Sequence, residues 1–203
     1  MRHWIIGNGP SLRDTPLDLL KDEVTWGMNA IHLAGFKPNN YICVDVNAKD
    51  PEWQNTIIRH LDCDKVFLSN DFSNLFSGDI TWINKCPKHH YYAADNHMKR
   101  AEHWHLPDLC TAFGTMNVAL QLATLNGADE IALVGCDLFT GSDDHVTEKY
   151  PNYVSYRTRN MIENQIHKVA RRSCPVRIVN ATIGGNLEVH HRVNFYEYLK
   201  KGK

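Results

Sequence analysis

Short β-branched and aromatic runs alternate along this chain with longer stretches of helical periodicity, and no other feature restricts the fold as much. Runs at 4–6, 24–28, 41–46, 65–69, 80–83, 131–134 and 176–179 are each the length of a strand, and the spaces between several of them hold a helical crossover. Strands joined in that way lie parallel and bury both faces. The expected fold class is therefore α/β, a Rossmann-like, mostly parallel sheet with helices on both faces.

Over 51–61 a proline opens a stretch in which Trp53, Ile57, Ile58 and Leu61 fall on one helical face. Over 112–126 the residues Ala112, Met116, Ala119, Leu120, Ala123 and Thr124 repeat helically, and Asn126-Gly127 supplies a stop. A further helix is expected over 155–172. Two segments follow neither period: an irregular excursion around 87–107, and a polar, aromatic-containing C-terminal tail at 186–203. No linker or composition break divides the 203 residues, so 1–203 is expected to form one domain.

In a parallel sheet the carboxyl ends of the strands share one edge, and open α/β folds bind ligands there. The first run ends in Gly7-Asn8-Gly9-Pro10-Ser11. Its glycines let a backbone approach a phosphate, the amides at the start of the following helix can bind one, and Ser11 can cap that helix or donate its hydroxyl. The segment is neither G-x-G-x-x-G nor a Walker A loop, and a plain strand-to-helix turn fits the same residues. Other runs also end in polar side chains at the same edge: Asn29, then Asp45 and Asn47, then Asn70 and Asp71, then Asp137. Asn70 and Asp71 suit turns or caps, so Asp45 and Asp137 are the better ligand candidates.

Beyond Asp137 runs a polar loop that carries His145, placed to serve as a general acid or base near neutral pH. Tyr150 and Tyr153 follow, where they can hydrogen-bond a departing phosphate or pack on the next helix. His190-His191-Arg192 either reaches back over the crevice or forms a surface segment.

The formal charge is -1 with both signs interspersed, which gives no footprint for nucleic acid and points to a small polar partner. The chain has no apolar run of about 20 residues to span a membrane and opens without a signal-like segment, so a cytoplasmic protein is expected. Six cysteines at wide spacings, with no C-x-x-C pair, read as reduced thiols. The spacing of His97, His103 and His105 matches no zinc signature, and no metal site is expected there. A homo-oligomer is compatible with all of this.

Two stretches resemble a known superfamily. Ile5 through Leu12, with Gly7-Asn8-Gly9-Pro10-Ser11 at its centre, is similar to the glycine loop shared by three groups: bacterial lipooligosaccharide sialyltransferases, motility accessory factor proteins, and archaeal-type 6-hydroxymethyl-dihydropterin pyrophosphokinases. Residues 119–139, with Gly127-Ala128-Asp129 and Gly135-Cys136-Asp137, resemble the second shared block. Where the sialyltransferases carry Thr-Ser-Gly ahead of that block, this chain has Ala112-Phe113-Gly114-Thr115.

The resemblance implies a transferase for a nucleotide-activated donor, most simply a sialyltransferase-like glycosyltransferase taking a CMP-sugar-like substrate. Gly7, Asn8, Gly9, Pro10, Ser11, Asn29, Asp45, Gly114 and Thr115 would bind the nucleotide, and His145, Asp137, Tyr150 and Tyr153 would carry the chemistry. Asn29 sits where the sialyltransferases have a nucleotide-contacting asparagine, and His145 where the accessory factors tend to carry a histidine. The pyrophosphokinase branch implies instead diphosphate transfer from ATP to a pterin-like alcohol, with Asp45 and Asp137 holding Mg²⁺. A non-catalytic nucleotide-binding module is the third reading.

Overall fold

The computed structural model describes residues 1–44, 46–84, 104–109, 114–138, 164, 167–168 and 170–201. Eight strands form one sheet: β1 (Arg2–Ile6), β2 (Val24–Met28), β3 (Asn40–Cys43), β4 (Lys65–Ser69), β5 (Ile80–Ile83), β6 (Glu130–Val134), β7 (Arg177–Asn180) and β8 (His191–Arg192). Their order is β5-β4-β3-β2-β1-β6-β7-β8, and every neighbouring pair is parallel. The chain builds outward from β1 to β5 and then crosses back to lay β6 on the other side of β1. The β1/β6 boundary is thus a topological switch point.

Side-chain alternation along the strands divides the core in two. Ile5, Trp26, Ile42, Phe67 and Leu133 face α2 (Thr115–Leu125), which buries Val118, Ala119, Leu122 and Ala123 against them. Trp4, Ile6, Tyr41, Leu68 and Val134 face the other way. There they meet Leu12, Leu17 and Ile31 from short 3-10 turns, Trp53 and Ile57 from α1 (Pro51–Ile58), and Phe195 and Tyr198 from α3 (Phe195–Lys200). The fold is Rossmann-like α/β with both faces covered.

The differences from expectation lie at the ends of elements and in the last segment. β3 stops at Cys43 rather than running to 46, and α1 stops at Ile58 rather than 61. The C-terminal tail supplies β8 at the sheet edge and α3, whose Phe195 and Tyr198 rings stand edge-on to Trp4. Asn194 caps α3 by accepting the Glu197 amide at 3.1 Å. From the excursion at 87–107, Trp104 and nearby Leu109 are buried in the core face under α2. His97 and His103 lie outside the described residues, and His105 is exposed. No described helix is long and apolar enough to cross a membrane. Cys63 and Cys174 are free thiols.

Candidate functional site

β1 delivers the glycine loop directly onto the end of β6. The Gly7 amide donates to Val134 O at 2.8 Å and the Gly9 amide to Gly135 O at 2.9 Å, so the loop extends the strand pairing past both strands. That closeness accounts for the glycines. A Cβ on Gly7 would stand 2.4 Å from Gly135 O, and one on Gly9 would stand 1.8 Å from Asp137 Oδ2. The space beside Gly9 holds the Asp137 carboxylate, where the sequence reading put a phosphate.

A 3-10 turn, Pro10–Asp14, follows the loop where a helix was expected, so no helix N-terminus stands behind it. Ser11 Oγ donates to Asp137 Oδ2 at 2.8 Å, and the Ser11 amide is bonded to the same carboxylate. Asp137 is almost fully buried. Burial pushes its pKa up, opposed by the two Ser11 bonds and by the positive charge of Arg192.

A second glycine loop closes over Asp137 from the β7 side. Gly184 and Gly185 take left-handed backbone, and the Asn186 amide donates to Asp137 O at 2.6 Å. Arg192, on β8, holds this loop through Thr182 O, Gly184 O and Gly185 O at 3.1, 2.6 and 3.0 Å. Sequence reasoning missed this loop. Gly184-Gly185 after an apolar run repeats the signal that drew attention to Gly7 and Gly9. Arg192, left open between crevice and surface, works on the loop. His190 is buried away, its Nε2 3.1 Å from His167 Nδ1, and burial lowers its pKa to about 4.

The third group lies at the end of β2. Asn8 Nδ2 donates to Met28 O at 3.0 Å, while its Oδ1 is buried without a partner. Asn29 has φ 50, and its amide donates to Ile42 O at 3.0 Å. Thr115 Oγ1, at the start of α2, donates to Asn29 Oδ1 at 3.1 Å. The Asn29 side-chain NH₂ is left without a partner among the described residues.

The structure therefore brings Gly7, Asn8, Gly9, Ser11, Asn29, Thr115 and Asp137 to the switch-point end of the sheet, with Pro10 opening the 3-10 turn and Gly114 preceding α2. Asn70 belongs to a 3-10 turn after β4, and the Asp71 amide donates to Ser69 Oγ. Asp45, His145, Tyr150 and Tyr153 lie outside the described residues. Among the described residues, no three His, Cys, Asp or Glu side chains are grouped to hold a metal ion.

No known family model matches the chain, and no curated protein is similar in sequence. Among solved structures, the chain is similar in fold to the MAf glycosyltransferase from Magnetospirillum magneticum AMB-1, with TM-score 0.59 and 14% identity. That match covers 99% of this chain and 36% of the other, so this chain spans about a third of the Magnetospirillum protein. It is also similar to the sialyltransferase CstII from Campylobacter jejuni, solved in complex with a substrate analogue, cytidine-5'-monophosphate. Here the TM-score is 0.56 and the identity 12%, over 95% of this chain and 84% of that one. At such identities the likeness is one of fold alone.

Proposed function

We propose that this chain is a glycosyltransferase-like enzyme that takes a nucleotide-activated sugar, of the CMP-sugar type, at the β1/β6 switch point. One observation carries the reading. At the ends of β1 and β2 two amide groups have complementary needs, a buried Asn8 Oδ1 without a described donor and an Asn29 NH₂ without a described acceptor. A cytidine base or a ribose hydroxyl offers both a donor and an acceptor, so one ligand can satisfy the pair. The fold neighbour solved with CMP supports a cytidine nucleotide over others.

In the reaction, the acceptor hydroxyl attacks the anomeric carbon as the bond from that carbon to the phosphate oxygen breaks. His145 takes the hydroxyl proton, and CMP departs with the bonding pair. Tyr150 or Tyr153 donates to the departing phosphate. This displacement has no step that requires a metal ion. The pyrophosphokinase alternative asks Asp137 to hold Mg²⁺, but its Oδ2 already accepts from Ser11, and neither fold neighbour is a kinase.

Calorimetric titration with CMP, in EDTA and then in Mg²⁺, tests the reading. Binding is expected in both. Strict Mg²⁺ dependence with a preference for ATP, or no binding of CMP at all, sinks it.

A further inference from the structure

We propose that Tyr41 is a positioning residue for the nucleotide site, acting through Asn29; this rests on the reading of Asn29 as a nucleotide contact. Asn29 occupies the left-handed region, which asparagine visits more readily than other residues with a Cβ but in which neighbouring groups can still fix it. β3 does the holding. The Ile42 carbonyl accepts the Asn29 amide at 3.0 Å, and the Tyr41 hydroxyl donates to the Asn29 carbonyl at 2.8 Å. With the backbone fixed from both sides, Thr115 Oγ1 fixes the side chain by donating to Oδ1, which leaves the NH₂ as the unengaged end.

The hydroxyl is delivered from a rigid stack. The Tyr41 ring is buried and lies on His60, with centroids 4.1 Å apart and planes 21° from parallel. His60 is also buried, and neither ring nitrogen has a partner, so it serves as a flat, uncharged plate. Its pKa, lowered to about 4 by burial and by His32, keeps it neutral at working pH. Packing alone would be served equally well by phenylalanine at 41. The hydroxyl has its described partner in the left-handed residue at the end of β2.

The test is calorimetric titration of CMP into the full chain as parent, Tyr41→Phe, Asn29→Gly and the double variant. Tyr41→Phe should weaken CMP binding about three- to tenfold, the scale of one hydrogen bond. In the Asn29→Gly background the same change should do nothing further, because glycine takes left-handed backbone unaided and has no amide to aim. Equal binding by parent and Tyr41→Phe, or an equal loss in both backgrounds, overturns the proposal.

If the parent does not bind CMP, the nucleotide reading fails instead. In that case, or if Asn29→Gly binds too weakly to titrate, the crystal structure of Tyr41→Phe decides. Asn29 leaving the left-handed region or parting from Thr115 supports the positioning role, and an unchanged Asn29 overturns it.

Discussion

The two sides of the switch-point end of the sheet, the β1/β6 wall and the β2 wall, are built from the same kinds of residue and differ in what those residues have left to offer. On the β1/β6 wall, the Gly7 and Gly9 amides are committed to the Val134 and Gly135 carbonyls, and the Ser11 hydroxyl to Asp137 Oδ2. On the β2 wall, Asn8 Oδ1 and the Asn29 NH₂ have no such partners among the described residues. A polar residue at the carboxyl edge of a sheet can therefore be scaffold or contact, and its type does not say which. The difference is read from hydrogen-bond satisfaction: a committed group holds shape, and an uncommitted one is available to a ligand.

The strongest way to break this contrast is Gly9→Ala. If the β1/β6 wall is scaffold, the added methyl meets the Asp137 carboxylate and the Gly135 carbonyl, neither of which can retreat without parting from Ser11 or from the glycine loop. The variant should lose about 3 kcal/mol or more of stability in denaturant unfolding, at the upper end of overpacking effects. Gly184→Ala is the internal control: its Cβ meets nothing within 4 Å, so only the left-handed backbone is penalised, by about 1–2 kcal/mol. Equal losses in the two variants would mean that the Gly9 loop yields, and that the space beside it is open to a phosphate after all.

Much of this architecture was legible in the sequence, for a local reason. The runs 24–28, 65–69 and 80–83 match β2, β4 and β5 end to end, because each is a short run rich in β-branched and aromatic residues bounded on both sides by a polar residue. The last segment was not legible by period, since α3 has only six residues and β8 two, too short for either repeat to show. A local signal was present even so, in the asparagine of Asn194-x-x-Glu197 that caps α3. The glycine loop was found, but its cause was misplaced. The atom that requires glycine at position 9 belongs to Asp137, and a contact between residues so far apart leaves no local trace. The same holds for Arg192, whose three carbonyl partners become visible only once β7 and β8 are paired.

A smaller effect is expected on the open wall. Asn8→Ala removes one buried hydrogen bond and one unsatisfied oxygen together, so the stability of the ligand-free protein should change by no more than about 1 kcal/mol. Affinity for CMP, measured by titration, should fall about tenfold, because the nucleotide loses the acceptor it would satisfy. The reverse pattern, a large fall in stability with affinity preserved, would move Asn8 to the scaffold side of the comparison.

The smallest effect, and the one that separates scaffold from chemistry most sharply, is expected for Asp137→Asn. Asp137 is buried, and burial raises its pKa above the ordinary value of 3.8 despite the Ser11 bonds and Arg192. A carboxyl group whose folded pKa is raised binds its proton more tightly in the folded state. Its contribution to stability is fully present below the unfolded pKa and is lost as pH rises through the folded one. At neutral pH the charge is thus held in the fold at some cost, and a neutral asparagine keeps an oxygen for Ser11 without that cost. Asp137→Asn should therefore lie within about 1 kcal/mol of the parent at pH 7, and the parent should gain on the variant as the pH falls toward 3.8. Denaturant unfolding of both proteins across that range checks the sign, since titrations common to the two cancel in the difference. Turnover of a CMP-activated sugar completes the comparison. Asp137→Asn should work near the parental rate, whereas His145→Ala should lose about 10²-fold, the scale of a missing proton acceptor. If Asp137→Asn instead loses as much as His145→Ala while remaining as stable as the parent, Asp137 belongs to the reaction and the β1/β6 wall is more than scaffold.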